Sequence, residues 1–123
     1  MVETEENGLN EVIHFNFDKM YTYLGQDRES IRKVLLAVLE ELKITVSKFE
    51  ECRINRRLKE IRDTAHKLVE TTAAVGLDRL CETLQKIERL NRFDPIALDR
   101  NFNSLKMEIS LVNKLVNRYL LEK

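Results

Sequence analysis

His66 is the residue of this chain best suited to chemistry, and it sits in the stretch IRDTAHKLVETTAAVGLDRLCETLQKIE, residues 61–88. An imidazole has an ordinary pKa of about 6.5, so much of it is neutral near pH 7 and one ring nitrogen can act as a nucleophile. Its helical neighbours, three and four residues away, are Arg62, Asp63, Val69 and Glu70, and Ala73 lies one turn further along the same side. Lys67 is next in sequence, but its side chain leaves the helix about 100° away. Several other chemistries lack their residues. A di-iron site in a helical bundle needs a Glu-x-x-His motif from each of two helices; Asp63 to His66 supplies one weak half, and the only other histidine is His14. His66 with Glu70 is too small a ligand set for a metal site. Nothing indicates a hydrolase triad, and no GxxxxGK[ST] or GxGxxG stretch indicates a nucleotide pocket. A surface histidine with no role at all has the same local spacing.

The surrounding pattern says how this side chain is carried. Leu58, Ile61, Ala65, Leu68, Thr72 and Val75 recur at steps of three and four and form one buried stripe. His66 falls about 100° from Ala65 and nearly opposite Leu68, so it is predicted off the core and exposed. Gly76 provides the conformational freedom that ends this helix, and a return helix follows over 78–91 with Leu80, Cys81, Leu84 and Ile87 inward. Upstream, a helix over 28–52 presents Ile31, Leu35, Val38, Leu42, Val46 and Phe49 on its stripe, with Asp27 as its N-cap. A short helix over 18–24 with Asp18 as its cap precedes it, and Asn55 is placed to cap the histidine helix. Asp94-Pro95 starts a last helix to about Leu121, whose stripe runs from Leu98 through Phe102, Leu105, Ile109, Val112 and Val116 to Tyr119. Arg53, Arg56, Arg57, Lys59 and Arg62 form a basic cluster that reads as a docking patch or as plain surface charge. Four long amphipathic helices with short connections predict an all-α fold, an antiparallel up-down-up-down four-helix bundle with a short additional N-terminal helix. Residues 1–11 are polar and acidic and predict a disordered tail, leaving 12–123 as one helical domain; His14 is expected to be a tail residue.

Composition narrows the function classes. Lys plus Arg equals Asp plus Glu at 21 each, a balance that argues against a dedicated nucleic-acid binder. Cys52 and Cys81 are too few for a disulfide framework and fall at apolar helix positions, so both are expected as buried, reduced thiols. No apolar run approaches the roughly 18 residues of a membrane span, and the first residues lack a signal-peptide core. No membrane insertion and a cytoplasmic setting are therefore expected.

In its order of motifs the chain resembles the histidine phosphotransfer (HPt) domains of multistep two-component phosphorelays. Ala65, His66, Lys67 and Leu68 match the opening of the family's histidine motif, and Gly76, Leu77, Leu80, Cys81, Leu84 and Glu88 match its continuation. Residues 17–42, FDKMYTYLGQDRESIRKVLLAVLEEL, resemble the family's opening short helix, Gly-x-Asp turn and long helix. The resemblance implies that His66 accepts a phosphoryl group from the aspartyl phosphate of a response-regulator receiver domain and passes it to another receiver. It implies no catalysis by the chain itself and no cofactor, magnesium being expected on the receiver. Receiver domains and a hybrid sensor histidine kinase are the expected partners. Arg62 and Lys67 are expected to offset phosphoryl charge, with Val69, Glu70 and Ala73 on the docking face. Two positions depart from the pattern: the family's usual lysine three residues after the histidine is Val69 here, and the glycine after it is Glu70. Glu70 repels a phosphoryl group one turn away. These departures support an alternative, a degenerate module of the same shape that binds receivers or kinases without carrying phosphate.

Overall fold

Five amphipathic helices succeed one another in the computed structural model, which describes residues 11–122. They are α1 (Phe17–Leu24), α2 (Arg28–Ile54), α3 (Leu58–Ala74), α4 (Asp78–Glu88) and α5 (Pro95–Glu122). Residues 11–14 are helical as well, and there is no strand among the described residues. The predicted all-α helical bundle is what forms. Each of the four longer helices packs on two others, α2 and α4 each lying against both α3 and α5, while α1 lies on α3. This ring has two edges that share no helix, the α3/α4 edge and the α2/α5 edge.

The apolar stripes fill the centre as their spacing requires, except that Leu58 and Val46 are only half-buried and Thr45 is buried beside Val46. Ile61, Ala65, Leu68 and Thr72 of α3 are buried, and so is the whole predicted stripe of α5. Each fully buried leucine or isoleucine contributes about 1.5–3 kcal/mol relative to leaving it in water, so α3 is held along one side for most of its length. Thr72, fully buried, satisfies its hydroxyl by donating to the Leu68 carbonyl at 2.7 Å. On α4 the inward set differs from the prediction by one position. Thr83 is buried and returns its hydroxyl to the Arg79 carbonyl at 3.1 Å, so it enters the interior without an orphaned group, while Cys81, on the opposite flank of the stripe, is only half-buried. Cys52 is buried, and both thiols are free.

The helix starts confirm two caps and correct two. Asp27 accepts from the Ser30 amide at 3.0 Å, and Asp94 accepts from the Ile96 amide at 3.1 Å, both as predicted. The cap of α1 is Asn16, not Asp18: its side chain accepts from the Lys19 amide at 3.3 Å. Asn55 closes α2 instead of opening α3, whose N-cap is Arg57 and makes no side-chain cap hydrogen bond. The tail expected over 1–11 falls, apart from Glu11, outside the described residues. His14 is no tail residue. Its Nδ1 lies 2.5 Å from Glu108 of α5, a carboxylate only 8% exposed, so this pair gives that acid the partner its burial demands. No helix among the described residues is long and apolar enough to cross a membrane.

The turn between α3 and α4 is the tightest point of the chain. Gly76 has φ of +81°, and a Cβ there would run into the carbonyl of Asn16. That approach lets the Asn16 amide donate to the Gly76 carbonyl at 2.7 Å, fastening the cap of α1 to the turn. Gly25 also has positive φ but open space around it. Gly76→Ala is therefore expected to cost about 2–5 kcal/mol of stability, and Gly25→Ala only about 1–3 kcal/mol. Urea unfolding of the two variants checks the order, and equal losses would contradict the close approach.

Candidate functional site

His66 stands mid-way along α3, off its buried stripe, with 66% of its side-chain surface exposed. The α3 backbone beneath it is held by Ala65 and Leu68, both at or below 1% exposure. The ring is not free. Glu88, the last residue of α4, reaches across the α3/α4 edge, and its Oε1 is hydrogen-bonded to His66 Nδ1. A carboxylate can only accept, so the shared proton belongs to Nδ1, and Nε2 is the ring nitrogen left to react.

Glu88 also changes the acidity of the ring. Its hydrogen bond and charge raise the His66 pKa above the ordinary value of 6.5, and Glu70 and Asp63 push in the same direction. The consequence for stability follows from the sign. A group whose folded pKa is raised contributes its full share below the unfolded pKa, and that share is lost as pH rises through the folded value. For reactivity the direction is opposite, since Nε2 has a lone pair only once the imidazolium has lost a proton.

A groove of about 500 Å³ runs beside the ring, lined by Leu58, Lys59, Arg62, Asp63, His66 and Glu88. Arg62 is in it, but its Nε donates to the backbone carbonyl of Glu88 at 3.0 Å. The end of α4 leaves such carbonyls without helical partners, and a cation there also meets the negative end of the helix dipole. Lys59 donates to Asp63 at 2.9 Å and holds that carboxyl below its ordinary range. Arg62 and His66 are thus brought to one groove, whereas Lys67, Val69, Glu70 and Ala73 do not line it. Lys67, Glu70 and Ala73 are exposed, and Val69 is half-buried against the core.

The rest of the basic cluster is largely occupied within the chain. Arg53 faces Asp99 with Nε at 2.6 Å and Nη2 at 2.9 Å, and Arg57 lies 3.6 Å from Glu60. Arg56 lies 4.4 Å above the Phe93 ring, a cation–π arrangement. These contacts favour ordinary surface charge over a docking patch.

Glu88, which the resemblance marks only as part of the motif's continuation, is the ring's partner, and nothing within four residues of His66 points to that contact. One signal was available. His66 lies eleven residues before Leu77 in the turn and Glu88 eleven after it, and positions equidistant from the turn of a helical hairpin meet. Among the described residues no group of three or more His, Cys, Asp or Glu side chains could hold a metal ion. No family model matches the chain, and no curated protein matches it either.

Glu88→Gln keeps an acceptor for Nδ1 but removes the charge. The His66 pKa is then expected to fall toward 6.5, and NMR titration of the ring protons measures it. An unchanged midpoint would show that Glu88 does not set the acidity of this ring.

Proposed function

We propose that His66 is a phosphoryl acceptor, the relay residue of a phosphotransfer domain served by response-regulator receivers. The observation that supports this best is an exposed imidazole on a helix packed along its other side, with Nδ1 occupied by Glu88 and Nε2 left free. Such a ring needs little reorganisation to meet an incoming phosphorus. Phosphoryl transfer depends mainly on alignment and charge stabilisation, so a well-placed nucleophile is most of what a carrier must supply. The resemblance to histidine phosphotransfer domains points the same way.

In this reading the aspartyl phosphate of a receiver docks over α3. Nε2 attacks phosphorus in line, the N–P bond forms, and the bond from phosphorus to the aspartyl oxygen breaks, returning a free carboxylate to the receiver. The imidazole keeps its proton on Nδ1, and Glu88 balances the positive charge the ring acquires. Magnesium belongs to the receiver, and the chain acts as carrier without ATP or hydrolysis of its own. Reversal of the same step onto a second receiver passes the group on.

A second reading is favoured by the charges near the ring. Glu70 is exposed one turn away, Asp63 lines the groove, and Arg62 is committed to the α4 carbonyl. A module that binds receivers or kinases without accepting phosphate tolerates these anions better than a carrier does.

The two readings separate when the chain is mixed with a panel of receivers carrying labelled phosphate. Acid-labile, base-stable label on the wild type and none on His66→Gln is the expected result, and the initial rate of labelling is expected to rise with pH through the raised His66 pKa. Glu70→Gln is expected to gain label several-fold. Receiver binding without label by either protein supports the module. Neither label nor binding sinks both.

A further inference from the structure

The α2/α5 edge carries a feature that phosphotransfer does not use. Here α2 turns apolar side chains to solvent: Leu36 is 42% and Ile44 59% exposed. Between the two helices runs a groove of about 560 Å³ with an apolar floor of Leu39, Val46 and Ile109, and Glu40 and Lys43 line it too. Neither Glu40 nor Lys43 has an ion-pair partner among the described residues.

The charges on this face of α2 are complementary to their own reverse. Lay α2 antiparallel on itself about the point between Glu41 and Leu42. Glu40 then lies level with Lys43 near the centre of the seam, Lys33 shares a flank with Glu51 and Arg32 with Glu50, and Leu39 and Ile44 border the seam on its two sides. All eight lie within about 80° of one direction on the helix. The six charged residues are exposed, and none of them is set against its own sign. A two-fold axis requires this reciprocity, in which residue i meets j and j meets i. Glu50 already holds Lys106 of its own chain at 2.5 Å, and a carboxylate has room for a second donor.

We infer that the α2/α5 face is the interface of a symmetric dimer, in which α2 of one copy lies antiparallel on α2 of the other and Leu36, Leu39 and Ile44 are covered. The charges select the partner and the register, and the apolar floor supplies the contact. This edge shares no helix with the α3/α4 edge, so the dimer leaves both His66 side chains accessible. The inference does not depend on phosphotransfer.

Sedimentation of the whole chain over a concentration series tests it. The wild type is expected to approach twice the 14.5 kDa chain mass, with association weakened at high salt as the Debye length shrinks from about 8 Å to about 3 Å. Glu40→Lys sets lysine against lysine, and Lys43→Glu sets glutamate against glutamate. Each variant is expected to remain monomeric alone with an unchanged circular dichroism spectrum. Mixed in equal amounts they place two cations against two anions and are expected to form a heterodimer. A wild type that stays monomeric, as when the groove serves a different partner, overturns the inference. So does a dimer indifferent to both substitutions, since it must use another face.

Discussion

A missing Cβ at Gly76 sets the geometry of both ends of the α3/α4 edge. The turn can be this tight only because its backbone adopts positive φ and because the Asn16 carbonyl can press against the bare Cα. Two consequences follow from one residue. The cap of α1 is fastened to the α3/α4 turn through the Asn16–Gly76 hydrogen bond, and α4 returns along α3 in the register that delivers Glu88 to His66. A shift of one residue along α4 turns its side chains by about 100°, enough to take the carboxylate away from the ring. The imidazole's tautomer is therefore governed by a backbone contact at the far end of the hairpin.

The electrostatic balance around the ring is predominantly anionic. Three acids raise the imidazole's pKa, whereas the two cations lining its groove are directed elsewhere: Lys59 to Asp63, and Arg62 to the end of α4. An anionic setting favours the imidazolium and opposes an arriving phosphoryl group, yet it also favours the positive ring that attack at phosphorus creates. Which effect wins depends on distance. Glu88 touches Nδ1, on the side of the ring away from the reacting nitrogen, and so stabilises the charged product directly. Glu70 lies one turn along the same helix, exposed and without a hydrogen bond to the ring, so in the proposed transfer its charge acts on the arriving phosphoryl group without the compensating contact that Glu88 makes. The same negative charge thus helps in one place and hinders in the other.

Much of the scaffold could be read in advance because helix packing is written locally. The stripes of α3 and α5 and the exposure of His66 all follow from steps of three and four residues, and Asp27 and Asp94 cap their helices within the same few residues that identify them. The misreadings share a cause in contacts or choices that local spacing cannot rank. Asn55 was an equally good cap for the helix after it, but the chain used it to close the helix before, with Arg56 at positive φ completing the link. Thr83 is buried because a hydroxyl can bond back to its own helix, and Cys81, on the other flank, stays half-exposed. His14 looked like tail until Glu108, 94 residues away, needed a partner. The Glu88 contact belongs to the same class, legible only after the hairpin had been folded around Gly76.

The ring of four helices gives the molecule two edges with different physical characters. At the α3/α4 edge the reactive side chain stands on a helix whose opposite side is fully packed, and the charges there are mostly satisfied within the chain. At the α2/α5 edge apolar side chains remain uncovered, and Glu40 and Lys43 beside them have no ion-pair partner among the described residues. Packing a bundle does not demand this difference, because every one of these helices has a complete inner stripe already. The uncovered residues on α2 lie outside that stripe and do nothing for the core that a polar side chain would not do better in water. Their cost in solubility is offset only if something covers them, and the antiparallel charge pattern along the same face specifies what that is. A shape in which one edge is closed by a second copy while the other stays open holds the two imidazoles on separate outer edges, so that partners can reach both without competing for the surface that joins the copies.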